Sequence, residues 1–238
     1  MRRLYVPTFG PTDWRRLLAD PETQWEPKKS ALEMAVCWEA ACSSARGLPP
    51  EVAAAIDGNS DLAGAYLVLG LPEHQVAIPG GGHSSQNDLW ALLRRGDDLV
   101  SVAIEAKAGE SLDALVKDWL RTPNPRTRKP ERLAALQGHL DIDGHDVSEL
   151  RYQLLHRAAS ALIEADRFRA KFAVLLVQSF NRQADEGSWN DCCRFGEVLG
   201  AKVCENQIVA TTVRTVIPLY IGWISSSPAN EDRLRTAV

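Results

Sequence analysis

Between Leu99 and Lys107 the chain alternates as a strand does, so Ser101, Ala103, Glu105 and Lys107 share one face and Val100, Val102, Ile104 and Ala106 the other. Arg95-Gly96-Asp97-Asp98, just before it, is turn chemistry. With that turn centred between Gly96 and Asp97, facing residue numbers sum to 193, which sets Asp88 opposite Glu105. Two carboxylates across a ladder repel unless something positive lies between them. Hard oxygen donors of this kind, with waters and a phosphate oxygen completing an octahedron, suit Mg²⁺ or Mn²⁺ better than zinc. Lys107 could then orient an attacking water or help deprotonate it, and the small Ser101 and Ala103 would leave room for a ligand above the sheet. The plainer reading of charges at alternate strand positions is a solvated face with cross-strand ion pairs.

The elements that must position these residues follow from patterning. Ser30-Ala31-Leu32-Glu33 matches a capping box that opens a helix through Cys42, and a short helix is expected over Glu51 to Ile56. Three strands follow at Gln75–Ile78, Asp88–Leu93 and Leu99–Lys107, broken by Pro79-Gly80-Gly81-Gly82 and by the Gly96 turn. The middle one, Leu-Trp-Ala-Leu-Leu, carries no β-branched residue and reads equally as a helical turn. Helical periodicity returns over Ser111–Leu120, Glu131–Leu140 and Val147–Asp166. The apolar run Phe172–Val177 predicts a strand covered on both faces; a helix near Trp189–Leu199 and a strand over Val216–Ile224 complete the series. The order α-βββ-α-β-α-β describes an α/β fold, a mixed sheet with helices on its faces, in one domain over 1–238 with a core of about 30–224 and a flexible tail over 225–238.

Asn87-Asp88, followed after sixteen residues by Glu105-Ala106-Lys107 at a strand end, resembles the core motif of the PD-(D/E)XK, or restriction-endonuclease-like, nucleases. The likeness spans Ser30 to Phe180, with Asn87 where proline is common. It implies a restriction-endonuclease-like α-βββ-α-β core and metal-dependent hydrolysis of nucleic-acid phosphodiester bonds. In that family the Asp and Glu hold the metal, here Asp88 and Glu105 with Mg²⁺ or Mn²⁺, and the Lys, here Lys107, serves the water. Members often add an acid from the first core helix and a polar residue from the helix after the third strand. Glu39, on a small apolar stripe, and Gln153 are carried over for these roles, with Tyr152, Gln178 and Ser179 as weaker candidates. Arg157, four residues beyond Gln153 where a tyrosine is usual, could clamp a phosphate bidentately. A homodimer stays open beside a monomer, because a double-strand cutter often forms one.

Charge and composition limit the alternatives. The net charge of −4 argues against a protein that coats nucleic acid non-specifically. Yet Arg121, Arg126, Arg128, Lys129 and Arg132 face only Glu131 in one stretch, a net +4 that leaves −8 elsewhere; with Arg157 these are the candidate nucleic-acid contacts, DNA being preferred to RNA. No apolar run is long enough for a membrane span and no signal-like segment opens the chain, so a cytoplasmic protein without a membrane partner is expected. Five cysteines without a Cys-x-x-Cys pair read as reduced, mostly core thiols. The glycine-rich Pro79–His83 lacks a P-loop ending and reads as a flexible hairpin loop. Asp141–Asp146 lacks the bidentate Glu of a calcium loop, and Asp146 is expected to cap the next helix. No Gly-x-Ser-x-Gly elbow is present. The competing class is a nuclease-like fold without turnover that serves as a binding or assembly module.

Overall fold

A computed structural model describes residues 8–123, 128–229 and 234. Among them lies a six-stranded mixed sheet in the order β1-β2-β3-β4-β6-β5: β1 Tyr66–Val76, β2 Ser85–Arg95, β3 Asp98–Lys107, β4 Phe172–Ser179, β5 Gln207–Ala210 and β6 Leu219–Ser225. The first three form an antiparallel meander; β4 joins β3, and β6 joins β4, in parallel. The β2–β3 register pairs Leu89 with Ile104 and Arg95 with Asp98, the 193 sum read from the turn. The Asp88–Leu93 segment, ambiguous by composition, is strand because β1 and β3 take its backbone groups on both sides.

Helices cover both faces. On one, α2 (Ser30–Ala41) and α3 (Pro50–Asp57) pack on Val100, Val102, Ile104 and Ala106. On the other lie α5 (Lys129–Leu140), α6 (Tyr152–Phe168) and α7 (Glu186–Val198). Two short helices, α1 (Pro21–Gln24) and α4 (Val116–Arg121), and a 3-10 turn at Pro11–Leu17 are the others among the described residues. The middle of β3 is not open. Ser101 is fully buried, accepting the Trp90 indole N–H at 2.9 Å and donating to Ala161 O at 2.8 Å, and Ala158, Ala161 and Ala165 bring α6 close. Small residues there serve helix-on-sheet contact, so the ligand space expected above Ser101 and Ala103 lies instead at the C-terminal end of the strand.

Several boundaries move for identifiable reasons. β1 begins nine residues before Gln75 and ends at Val76, short of Ile78; Gly70 and Pro72 disguise it, and proline is tolerated because β1 is an edge strand. α4 begins only at Val116 and α6 only at Tyr152, because Leu115 and Arg151 form a β-bridge that keeps both segments extended. Asp146 consequently caps no helix and accepts the Ser148 N–H at 2.9 Å in a local turn. Strand β5 was not foreseen. The Ser30 capping box does not form: Lys29 is the N-cap, the Ser30 N–H donates to Glu110 at 3.0 Å, and Glu33 is buried, accepting the Ala229 N–H at 2.7 Å.

The same contact corrects the proposed limits of the core. The described tail is tied down, with Ser226 N–H donating to Ser179 O and Gln178 to Ser226 Oγ, and Leu234 is buried. At the other end Trp14 and Trp25 join Trp38 in the core. Of the five free cysteines only Cys192 is fully buried, the others being half-buried rather than core. Among the described residues no helix is long and apolar enough to cross a membrane.

Candidate active site

The C-terminal ends of β1 and β3 and the start of β2 between them open into a cleft of about 480 Å³. Its floor holds Asp88, Glu105 and Lys107, with Glu73 and Gln86 from β1 and β2, Gln153 and Arg157 from α6, and the entry to α2 as a further wall. Glu105 is the hub. Its Oε1 accepts from Lys107 Nζ and from Gln153 Nε2, both at 2.7 Å, and its Oε2 accepts from Arg157 Nε at 2.7 Å. Asp88 Oδ2 accepts the Ala106 N–H at 2.7 Å, while Oδ1 lies 3.7 Å from Arg157 Nη2. Parity explains the assembly: residues 86 and 88 on β2 and 105 and 107 on β3 point to the α6 face, and α6 sets Gln153 and Arg157 one turn apart above them.

Charge in the cleft is unevenly compensated. Glu105 loses most from burial, yet Lys107 and Arg157 outweigh that loss and hold it below the usual carboxylate range. Asp88 is pushed up to about 7 by burial and by the facing Glu105. Glu73, at φ 53 and bonded to Gln86 at 2.7 Å, is pushed up to about 8 by burial and by Asp88. Burial alone would lower Lys107, but Glu105 and Asp88 prevail and raise it, so it is an ammonium at neutral pH. In that form it can position and polarise a water or neutralise a phosphate.

The donors fit a hard divalent cation in type, being carboxylate oxygens. Among the described residues no cluster of three or more His, Cys, Asp or Glu is arranged to hold a metal, so a cation would rest on Asp88 and Glu105 with waters in its remaining positions.

Other candidates fall elsewhere. Glu39 accepts from the Trp14 indole at 3.0 Å and does not line the cleft, standing nine residues along α2 from Ser30, about 13 Å at the helical rise. Gln178 is buried, accepting from the Trp38 indole at 2.9 Å; Ser179 donates to Asp185 at 2.6 Å; the Tyr152 hydroxyl accepts from Arg132. Arg126 lies outside the described residues. Arg121 and Arg128 are exposed, whereas Lys129 is buried on the carbonyls of Trp119 and Thr122, and Arg132 is buried on those of Gly81 and His83. The two buried cations hold the protein's own loops, leaving a smaller free basic surface than the sequence count suggests. Arg132 thereby braces the glycine-rich segment, which the sequence reads as a flexible loop. Sequence reasoning missed Glu73 and Gln86, which lie on the hidden part of β1 and its partner.

A mixed α/β sheet with a buried, ion-paired carboxylate–lysine–arginine cleft at its strand ends is thus the class of protein present. The family model of a domain of unknown function, DUF6946, matches residues 7–228, and the chain belongs to that family. No curated protein and no solved structure matches the chain.

Proposed function

We propose that this is a restriction-endonuclease-like, Mg²⁺- or Mn²⁺-dependent nuclease that hydrolyses phosphodiester bonds at Asp88, Glu105 and Lys107. One observation carries the reading: two carboxylates from adjacent antiparallel strands and an ammonium two residues on converge in one cleft, with Gln153 of α6 bonded to Glu105. With α3 set before β1 and α4 and α5 before α6 as insertions, the order α2-β1-β2-β3-α6-β4 is compatible with the core that the motif implies. The cation would lower the pKa of its bound water and withdraw charge from the phosphoryl oxygen. Lys107 would orient the water and Arg157 would face the phosphate. DNA is the preferred substrate, and the free thiols suit a reducing cytoplasm.

A second reading has its own support. Both Glu105 oxygens already carry N–H donors, so the hub is neutralised without a cation, as a binding module that has lost turnover would allow. Calorimetric titration with Mg²⁺ and Mn²⁺, alongside cleavage assays on labelled single- and double-stranded DNA and RNA, separates the two. Metal binding with cleavage that disappears in Lys107→Ala supports the nuclease. Nucleic-acid binding with no metal uptake at millimolar concentration leaves the module.

A further inference from the structure

Arg157 stands between the two carboxylates that the proposed cation would need. Its side chain is 7% exposed and its three nitrogens are all directed: Nε to Glu105 Oε2 at 2.7 Å, Nη2 towards Asp88 Oδ1 at 3.7 Å, and Nη1 to Ser85 Oγ at 3.2 Å. A guanidinium in that position supplies the positive charge that a facing carboxylate pair demands. It also occupies oxygen lone pairs that would ligate a metal. Around Arg157 the cleft gathers Asp88, Glu105 and Lys107, with Glu73, Glu110 and Lys29 further along its lining. Lys107 and Arg157 already balance Asp88 and Glu105, so a divalent ion added beside Arg157 would overshoot neutrality further than the same ion replacing it.

The fold provides somewhere for Arg157 to go. A second cavity of about 320 Å³ adjoins the cleft, and Gln86, Gln153 and Arg157 line both. Asp113, exposed in its wall, offers a carboxylate to a displaced guanidinium, and the walls carry the His83 and Trp119 side chains besides. His156, also in that wall, is kept neutral by burial and by Arg157 and Arg132, so it does not repel an incoming cation. The Arg132 guanidinium there is occupied by the Gly81 and His83 carbonyls.

We propose that Arg157 is an internal counter-ion that holds the Asp88–Glu105 pair closed to metal, and that a substrate phosphodiester draws it aside so that the cation and the nucleic acid enter together. Metal alone then competes with a tethered guanidinium and binds weakly. Metal with a phosphodiester meets a site from which the arginine has turned to the anion, its bidentate partner of choice. The inference rests on the reading of Asp88 and Glu105 as a cation site.

Mn²⁺ affinity measured by calorimetry tests it, on the wild type and on Arg157→Met, each with and without a phosphorothioate single-stranded oligonucleotide that resists cleavage. The expected result is Mn²⁺ binding to Arg157→Met about tenfold tighter than to the wild type, or about 1.4 kcal/mol. The oligonucleotide should tighten Mn²⁺ binding to the wild type by a larger factor than to the variant. Because removal of a buried partner could unfold the variant, the wild-type pair of titrations stands on its own: equal Mn²⁺ affinity with and without oligonucleotide overturns the counter-ion. Wild-type Mn²⁺ binding that is lost in Asp88→Asn but no tighter in Arg157→Met overturns it while sparing the cation site. Absence of Mn²⁺ binding in every arm overturns both.

Discussion

Asp88 accepts the backbone N–H of Ala106 at 2.7 Å, across the open end of the β2–β3 ladder. The bond fixes one carboxylate oxygen to the sheet and leaves the other towards the cleft. It does not offset the cost of the site, since burial and Glu105 push Asp88 up to about 7, and burial and Asp88 push Glu73 up to about 8. An acid whose pKa is higher in the folded than in the unfolded chain binds more protons when folded, so its stabilisation is lost as pH rises through the folded value. Metal-free protein should therefore lose stability between about pH 4 and pH 8, as Asp88 and then Glu73 ionise. Asp88→Asn should flatten that decline and raise Tm at pH 8, by about 2–4 °C for each kcal/mol relieved. Thermal melts across the range check this; a variant that melts lower than the wild type at pH 8 would show that the carboxylate is well compensated.

Lys107 separates catalysis from cation binding. It is raised in pKa by Glu105 and Asp88 against its burial, and contributes a fixed positive charge to the cleft. If it orients water or stabilises phosphoryl charge, Lys107→Ala should cut the cleavage rate by about 10²–10³-fold, the range for removing one group that stabilises developing charge. Mn²⁺ affinity should hold or tighten, because one cation leaves the cleft. Single-turnover cleavage and calorimetry on the same preparation provide both numbers, and parallel loss of the two would place Lys107 in the fold rather than in the chemistry.

The central register was legible because a two-residue turn at Gly96-Asp97 and strict alternation leave one pairing, and that pairing alone brought Asp88, Glu105 and Lys107 together. Gln153 and Arg157 were legible from helical spacing. Glu39 was not: a carboxylate on an apolar stripe must have a partner, but the sequence does not tell that the Trp14 indole, 25 residues earlier, supplies it. The basic stretch misled for a related reason. Buried Lys129 and Arg132 look like a phosphate-binding surface in composition, and only the fold reveals backbone carbonyls as their partners. The limits of β1 were hidden by Gly70 and Pro72, residues that break central strands and are harmless at an edge.

Glu105 carries the largest structural cost of any substitution in the cleft. It is 1% exposed and is the common acceptor for Lys107, Gln153 and Arg157. Glu105→Gln keeps the shape but leaves two buried cations without their main counter-charge, and breaking a buried pair from one side costs about 3–5 kcal/mol. Urea unfolding should report a loss of that size. Glu105→Gln combined with Lys107→Met should recover part of it, because the double variant removes one of the stranded charges, whereas additive losses would mean the two side chains are not energetically paired.

The glycine-rich loop offers a test away from the charges. Gly80 has φ 93, and a Cβ there would stand 2.5 Å from Arg132 Cα, a backbone atom of α5 that cannot rotate away. Gly96 also has positive φ, at 57, but a Cβ there meets nothing within 4 Å. Gly96→Ala should cost only the left-handed backbone penalty, about 1–2 kcal/mol. Gly80→Ala should cost more, since α5 must shift, and with it the Arg132 guanidinium that holds the Gly81 and His83 carbonyls beside the second cavity. Denaturation should rank Gly80→Ala below Gly96→Ala. Equal losses would mean that the loop yields without moving α5, and that the Arg132 brace, against the reading given above, does not fix the wall into which Arg157 would turn.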